Sequence, residues 1–213
     1  MQLFIKEHII KIKQACLLHG AGVNLEQYYY QEYPTDTKET HFLFIGRVMK
    51  EKGIDELFKA VRKLRRDGIN CSLDVLGGCE ENYENIIKCY EKEGWLRYHG
   101  YQEDVRPFIA KCHCFVLPSW HEGMANTNLE SAATGRPIIT SDIAGCKEAV
   151  INGKSGFLCK VKDSKDLYIT MRKFLNLSYD EKKEMGLAGR RHMESVFDKK
   201  EVVRKTINKL YGE

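Results

Sequence analysis

The 213-residue chain is 43% hydrophobic and 30% charged, the balance of an ordinary globular protein. Its formal net charge of +4, with acids and bases intermixed, excludes a DNA-binding stripe or a basic tail and leaves room for a small anionic ligand. No apolar run approaches the ~18–20 residues of a membrane span, and MQLFIKEHIIKIKQ lacks the continuous apolar core and cleavage site of a signal peptide, so a cytoplasmic location is expected.

The first 40 residues stand apart. LFIKEHIIKI (3–12) is amphipathic and basic, and packing on protein is favoured over lying on a membrane surface. QACLLHGAGVNLEQYYYQEYPTD reads as a strand, a glycine turn and a linker whose Tyr28, Tyr29 and Tyr30 pack rather than stack on sugar.

From residue 41, strand and helix patterns alternate. HFLFIG (41–46) is a buried strand, and residues 52–68 carry Ile54, Leu57, Phe58, Val61 and Leu64 at helical spacing. CSLDVLGG (71–78), a helix over 81–94, LRYHG, a short helix near Pro107 and CFVLP (114–118) follow. A glutamate-bearing loop then leads to a helix at about 127–134, the strand PIITS (137–141), a short helix, a glycine turn and a sixth strand. Asp163 onward is helical in two or three segments, covering the sheet, and the last helix has an apolar face with nothing of its own to cover. Such alternation predicts a single doubly wound, Rossmann-like α/β domain with a parallel sheet. Ligands bind such sheets at the carboxyl ends of the strands, where Gly46, Gly77, Gly78 and Gly100 fall.

The eight cysteines are scattered, several within strand-like runs, without a C-x-x-C pair, and read as buried free thiols. Cys112, His113 and Cys114 alternate across a strand and cannot converge on one ion; no metal site is expected.

The loops carry the chemistry. Arg47 and Lys52, directly after the first strand, suit a diphosphate: a planar fork of donors and a compact charge. Glu122 lies just beyond a strand end. Gly123, Met124, Ala125 and Asn126 let the backbone approach a ligand, and Asn126 or Thr127 is expected to cap the next helix, whose amino end favours anions. Glu130, one turn into that helix, is expected to look back into the crevice. Hydroxyl-accepting carboxylates at both ends with donors between them suit a nucleotide sugar. His121 is expected to shape the loop.

GRVMKEKG, LGG, HGY and CFVLPSWHEGMANTNLESAATGRPIITSDIAGCKEAVINGKSGFLC, in this order and spacing, resemble the C-terminal, donor-binding half of a family 4 retaining glycosyltransferase of GT-B fold. The likeness runs from about Ala15 past Phe197. It implies a sugar transfer from a nucleotide-sugar donor, a UDP-sugar by family habit, in surface polysaccharide biosynthesis. It makes Arg47, Lys52 and Glu122 the catalytic set. The donor would be bound by Gly46, Arg47, Lys52, Gly77, Tyr101, Glu122, Gly123, Met124, Ala125, Asn126 and Glu130, with Arg47 and Lys52 on the diphosphate, Glu122 on the transferred sugar, Glu130 on the ribose and backbone near Tyr101 on the base. It implies no cofactor and no divalent metal. Glu148, Gly153 and Gly156 match the family and read as structural. Ala125 and Asn128 depart from the proline or bulkier apolar residues common in family loops, a difference affecting donor choice.

A full enzyme of this type has an acceptor domain first, so residues 1–40 are expected to be its remnant and the interdomain linker, and residues 41–213 the donor-binding domain. The expected partners are a nucleotide sugar, a separately encoded acceptor-domain protein and, by peripheral contact, a membrane-bound lipid-linked acceptor; no nucleic acid is expected. Two other readings stay open: a truncated or split-gene half, inactive without its partner, and a sugar-nucleotide epimerase of related fold.

Overall fold

A computed structural model describes residues 6–7, 20–80 and 82–211. The amphipathic stretch 3–12, apart from Lys6 and Glu7, the first expected strand and Cys16 lie outside the described residues.

Six strands form the sheet: β1 (Thr40–Ile45), β2 (Cys71–Leu76), β3 (Leu96–Tyr98), β4 (Cys114–Leu117), β5 (Ile138–Ser141) and β6 (Gly156–Cys159). All pair in parallel, in the order β3-β2-β1-β4-β5-β6. This is the expected doubly wound sheet. Its order reverses between β1 and β4, whose carboxyl ends therefore flank a crevice. Every residue of β4 and β5 is buried, as a parallel strand covered on both faces requires.

The helices are α1 (Ile54–Arg66), α2 (Glu84–Lys92), α3 (Arg106–Lys111), α4 (Asn126–Ala133), α5 (Ser164–Leu175), α6 (Tyr179–His192) and α7 (Lys199–Tyr211). The helix expected over 52–68 is shorter. A 3-10 turn, Lys50–Lys52, comes first, because Gly53 takes a left-handed φ of 72°. α1 packs on α5 and buries Ile54, Leu57, Phe58, Val61 and Leu64, the apolar positions expected of it. Phe58 meets Tyr90 nearly edge-on at 5.4 Å and Trp95 at 6.4 Å. Phe42 of β1 meets Phe174 of α5, which places α1 and α5 on one face of the sheet.

Polar caps start two of the later helices. Asp163 accepts hydrogen bonds from the backbone N–H groups of Lys165 and Asp166, and Ser178 and Glu181 form a reciprocal capping box. α5 and α6 pack against β6, as expected of helices covering the sheet. α7 instead follows a π turn, Met193–Phe197, and packs chiefly on it. Val203 (45% exposed), Ile207 (45%) and Tyr211 (77%) line up at four-residue spacing along α7, the uncovered apolar face anticipated from the sequence.

The linker is part of this body. Val23 N–H donates to Phe197 O (2.8 Å) and Lys199 N–H to Val23 O (3.0 Å). Fully buried Arg136 donates to the carbonyls of Gln31 (3.0 Å) and Glu32 (2.7 Å), and the Tyr33 hydroxyl donates to His113 O (3.0 Å).

Candidate functional site

At the switch point Ile45, Gly46, Arg47, Lys52, Leu117, Glu122, Met124, Ala125, Asn126 and Thr127 line a cleft of 230 Å³. Two glycines set its geometry. A Cβ on Gly53 would stand 2.1 Å from Pro118 O, so only glycine lets the loop after β1 close against the end of β4. A Cβ on Gly145 (φ 87°) would stand 2.3 Å from Glu122 O, so the turn after β5 supports the glutamate loop from beneath. Ala125 N–H donates to Gly145 O (2.7 Å), and Glu148 Oε2 accepts from Gly145 N–H (2.9 Å). Glu148 thus holds a turn, the structural role expected of it.

That closure brings Lys52 Nζ within 2.6 Å of Glu122 Oε1, which also accepts from Ser119 Oγ at 2.8 Å. Lys52 and Glu122 are therefore a half-buried ion pair, where the sequence suggested two separate ligand contacts. Arg47 reaches outward and donates through Nη1 to both carboxylate oxygens of Glu80 (3.1 and 2.9 Å). Ser119 and Glu80 were not anticipated. Glu80 meets Arg47 only across a chain reversal that joins distant loops, whereas Ser119, three residues before Glu122, lies in the same loop and was within reach of a local reading.

The helix after the loop begins one residue earlier than expected. Its cap position is Ala125, and no side chain caps it, so neither Asn126 nor Thr127 serves as the N-cap. The cause is the Ala125–Gly145 hydrogen bond, which fixes the backbone at Ala125 and draws Asn126 into the first turn. The first turn of α4 also carries no acidic residue, so its positive end remains unneutralised by the helix itself.

Four of the expected residues do not line this cleft. Gly77 follows β2 with its backbone against Gly46 O. Gly123 sits on the loop's exposed side. Tyr101, 79% exposed, follows β3. Glu130, in the second turn of α4, is not among the residues that line the cleft. Burial raises the Glu130 carboxyl above its ordinary value, and the nearby Tyr28 hydroxyl opposes the shift. His121 is exposed, 3.5 Å from Glu51.

The cysteines are mostly as expected. Cys71, Cys112, Cys114, Cys146 and Cys159 are buried and free, whereas Cys89 is free but exposed. Burial pushes the Cys112 thiol up to about 12 and Cys71 to about 11. Among the described residues no cluster of three or more His, Cys, Asp or Glu is arranged to hold a metal ion.

A parallel sheet with a cleft at its switch point is the arrangement of doubly wound α/β domains that bind ligands at the carboxyl ends of their strands. Residues 28–192 match the model of the family described as Glycosyl transferases group 1, and the chain belongs to that family. The N,N'-diacetylbacillosaminyl-diphospho-undecaprenol alpha-1,3-N-acetylgalactosaminyltransferase of Campylobacter jejuni is 28% identical over 98% of this chain and 57% of its own length. The capsular polysaccharide biosynthesis glycosyltransferase CapM of Staphylococcus aureus is 27% identical over 79% of this chain and 45% of its own. The chain thus spans about half the length of these relatives. The fold is that of known GT-B glycosyltransferases. Anabaena HepE in complex with UDP superposes with a TM-score of 0.82 at 14% identity, over all of this chain and 61% of that one. Sucrose-phosphate synthase from Thermosynechococcus elongatus gives 0.81 at 21%, over 99% and 55%.

Proposed function

We propose that this chain is the donor-binding part of a retaining, nucleotide-sugar-dependent glycosyltransferase of surface polysaccharide biosynthesis, with a UDP-sugar donor. The observation that carries the reading is the meeting of Arg47, Lys52, Glu122 and the uncapped amino end of α4 around one cleft at the switch point. Two cations and a helix end offset the charge of a diphosphate as it leaves the anomeric carbon. No divalent ion is required for that task. A diphosphate competes with Glu80 for Arg47 and with Glu122 for Lys52. The carboxylate so released is placed to accept hydrogen bonds from hydroxyls of the transferred sugar. Family membership supports the reaction class. The relatives' names, which include a capsular polysaccharide enzyme and one whose name carries a diphospho-undecaprenol substrate, support the pathway.

A second reading has its own support: a half that is inactive until a separate acceptor domain joins it. The exposed Val203, Ile207 and Tyr211 stripe, beside a 640 Å³ groove between the linker and α7, favours it.

Calorimetric titration with UDP and with uridine, in EDTA, tests the first reading. UDP is expected to bind, and Arg47→Ala to weaken UDP by roughly tenfold while leaving uridine nearly unchanged, since a hydrogen bond to a charged group is worth about 1.5–3 kcal/mol. Equal losses for both ligands would remove Arg47 from the phosphate site. Binding only when a divalent ion is restored would refute the metal-free reading.

A further inference from the structure

Outside the cleft, three loops at the carboxyl edge of the sheet converge on one indole. Trp120 lies in the loop after β4, Lys50 in the turn after β1 and Lys162 in the turn after β6. The Lys162 ammonium sits over the Trp120 ring, 4.2 Å from its centroid, and the Lys50 ammonium stands 5.7 Å from the same centroid. Trp120 is half-buried and both lysines are exposed. The loops are tied together beside the ring. Trp120 N–H donates to Glu51 O at 2.9 Å, and Gly53 packs against Pro118 O too closely for any side chain. Two like charges at one ring repel each other, and the π face attracts each of them and holds them there. Lys162 is also held against the preference of its own backbone. Its φ is 60°, in the left-handed region, and every other described residue with a positive φ is a glycine. Glycine at 162 would adopt that conformation without strain. Strain of this kind clusters where a side chain serves a ligand. The acids of the same turns are engaged elsewhere. Asp163 accepts from the N–H groups of Lys165 and Asp166, Asp166 accepts from Lys160 N–H at 2.8 Å, and Glu51 lies 3.5 Å from His121. The Lys162 charge is thus met by the ring rather than by a carboxylate.

We propose that Lys50, Trp120 and Lys162 form a second anion site, for a phosphate-bearing group of the acceptor, beside the cleft that takes the donor. The assignment to the acceptor rests on the reading of Arg47 and Lys52 as the donor diphosphate site; the anion site itself does not. Lys50 and Trp120 each stand two residues before a member of the Lys52–Glu122 pair, so the platform adjoins the cleft through the chain. None of its three residues lines the cleft, which separates it from the donor. A phosphate offers several acceptor oxygens to two ammonium groups at once and relieves their repulsion. The indole keeps both cations at the site while it is empty, which lowers the entropy lost when the anion arrives.

The indole N–H of Trp120 is buried and meets no acceptor among the described residues, so its proton resonance reports the field of the two ammonium groups. The chain's other tryptophan, Trp95, is 2% exposed in the core and serves as the internal control. The full chain, saturated with UDP in EDTA, is titrated with inorganic pyrophosphate. A saturable shift of the Trp120 resonance is expected, with Trp95 unmoved. Lys162→Gly is expected to weaken that binding by roughly tenfold or more, the worth of one hydrogen bond to a charged group. UDP affinity should stay unchanged, and the melting temperature should hold or rise as the strain is relieved. Lys162→Met, which keeps the stem and the strained backbone, should lose pyrophosphate to the same extent. A merely structural clamp would lower the melting temperature of both variants and leave pyrophosphate affinity alone, and that result overturns the proposal. So does an unmoved Trp120 in the UDP-saturated wild type, or a shift seen only without UDP, which would mean that pyrophosphate enters the donor cleft alone. A wild-type chain that fails to bind UDP, yet shifts Trp120 with pyrophosphate, loses the donor reading and the acceptor assignment with it, while the anion site stands.

Discussion

Lys52 and Glu122 neutralise each other at 2.6 Å inside the cleft, so neither is a free charge awaiting substrate. A partly buried pair of this kind contributes little net stability but resists losing one member, which leaves the other desolvated. Ligand exchange at such a pair is cheap only if an incoming anion replaces the carboxylate, as the proposed diphosphate would. His113 shows the opposite economy. Burial pushes it down to about 4, against the pull of its bond to Thr35 O, while the positive charges of His41, Lys182 and Arg136 push in the same direction as burial. Its Nδ1 accepts from His41 N–H at 3.0 Å. Above the ordinary histidine value of about 6.5 it is neutral in the folded and unfolded chain alike. Between about 6.5 and 4 the unfolded chain takes up a proton that the folded one refuses. Stability therefore falls as pH drops through that window and levels off below it, by up to about 3 kcal/mol. Urea unfolding at pH 7.5 and 4.5 should show this loss, and His113→Gln should remove most of the difference. The depressed Asp74 carboxyl, where hydrogen bonds from Arg97 and His99 outweigh the effect of burial, acts only at lower pH.

Among elements, what repeats along the chain was legible and what closes across it was not. Apolar period-3.6 positions located α1, and short apolar runs located all six strands, because those patterns are local consequences of burial on one helix face or within a sheet. The Glu122 loop was legible from its small residues as a loop at the crevice, and its residues line the cleft there. Its helix cap was misassigned, since the Ala125–Gly145 hydrogen bond that decides it joins segments on either side of a strand. The Arg47–Glu80 pair was invisible for the same reason. Arg190 is the strongest case: nothing in RRHMES distinguishes it, yet it fastens the linker to α4. Arg190→Met keeps the packing of the stem and removes the donors, leaving two carbonyls in need of partners. It is expected to speed amide exchange at Tyr28 and Gln31 by roughly tenfold or more while leaving the amides of β1 unchanged, because the linker opens locally rather than with the core. Equal acceleration in β1 would mean that Arg190 supports the whole domain instead.

Among the concave surfaces of the described residues, two bring polar groups together at the sheet, and topology decides between them better than size. The larger, a groove of 600 Å³, lies on the sheet face that carries His41, Asp74 and Arg97. Its polar groups satisfy one another: Arg97 grips Asp74 through two hydrogen bonds (2.8 and 2.7 Å), His99 meets Asp74 at 2.6 Å, and His41 meets Ser72 at 2.8 Å. A ligand entering there must break a closed network. The smaller cleft, at 230 Å³, lies where the strand order reverses, so the loops after β1 and β4 diverge and leave backbone and helix ends pointing inward. Saturating UDP is therefore expected to slow amide exchange at Lys52, Gly53, Ala125 and Asn126, whose loops it bridges, and to leave His41, Arg97 and His99 unaffected. Protection confined to the His41 and Arg97 face would move the nucleotide to the larger groove and leave the switch-point cations as surface charges.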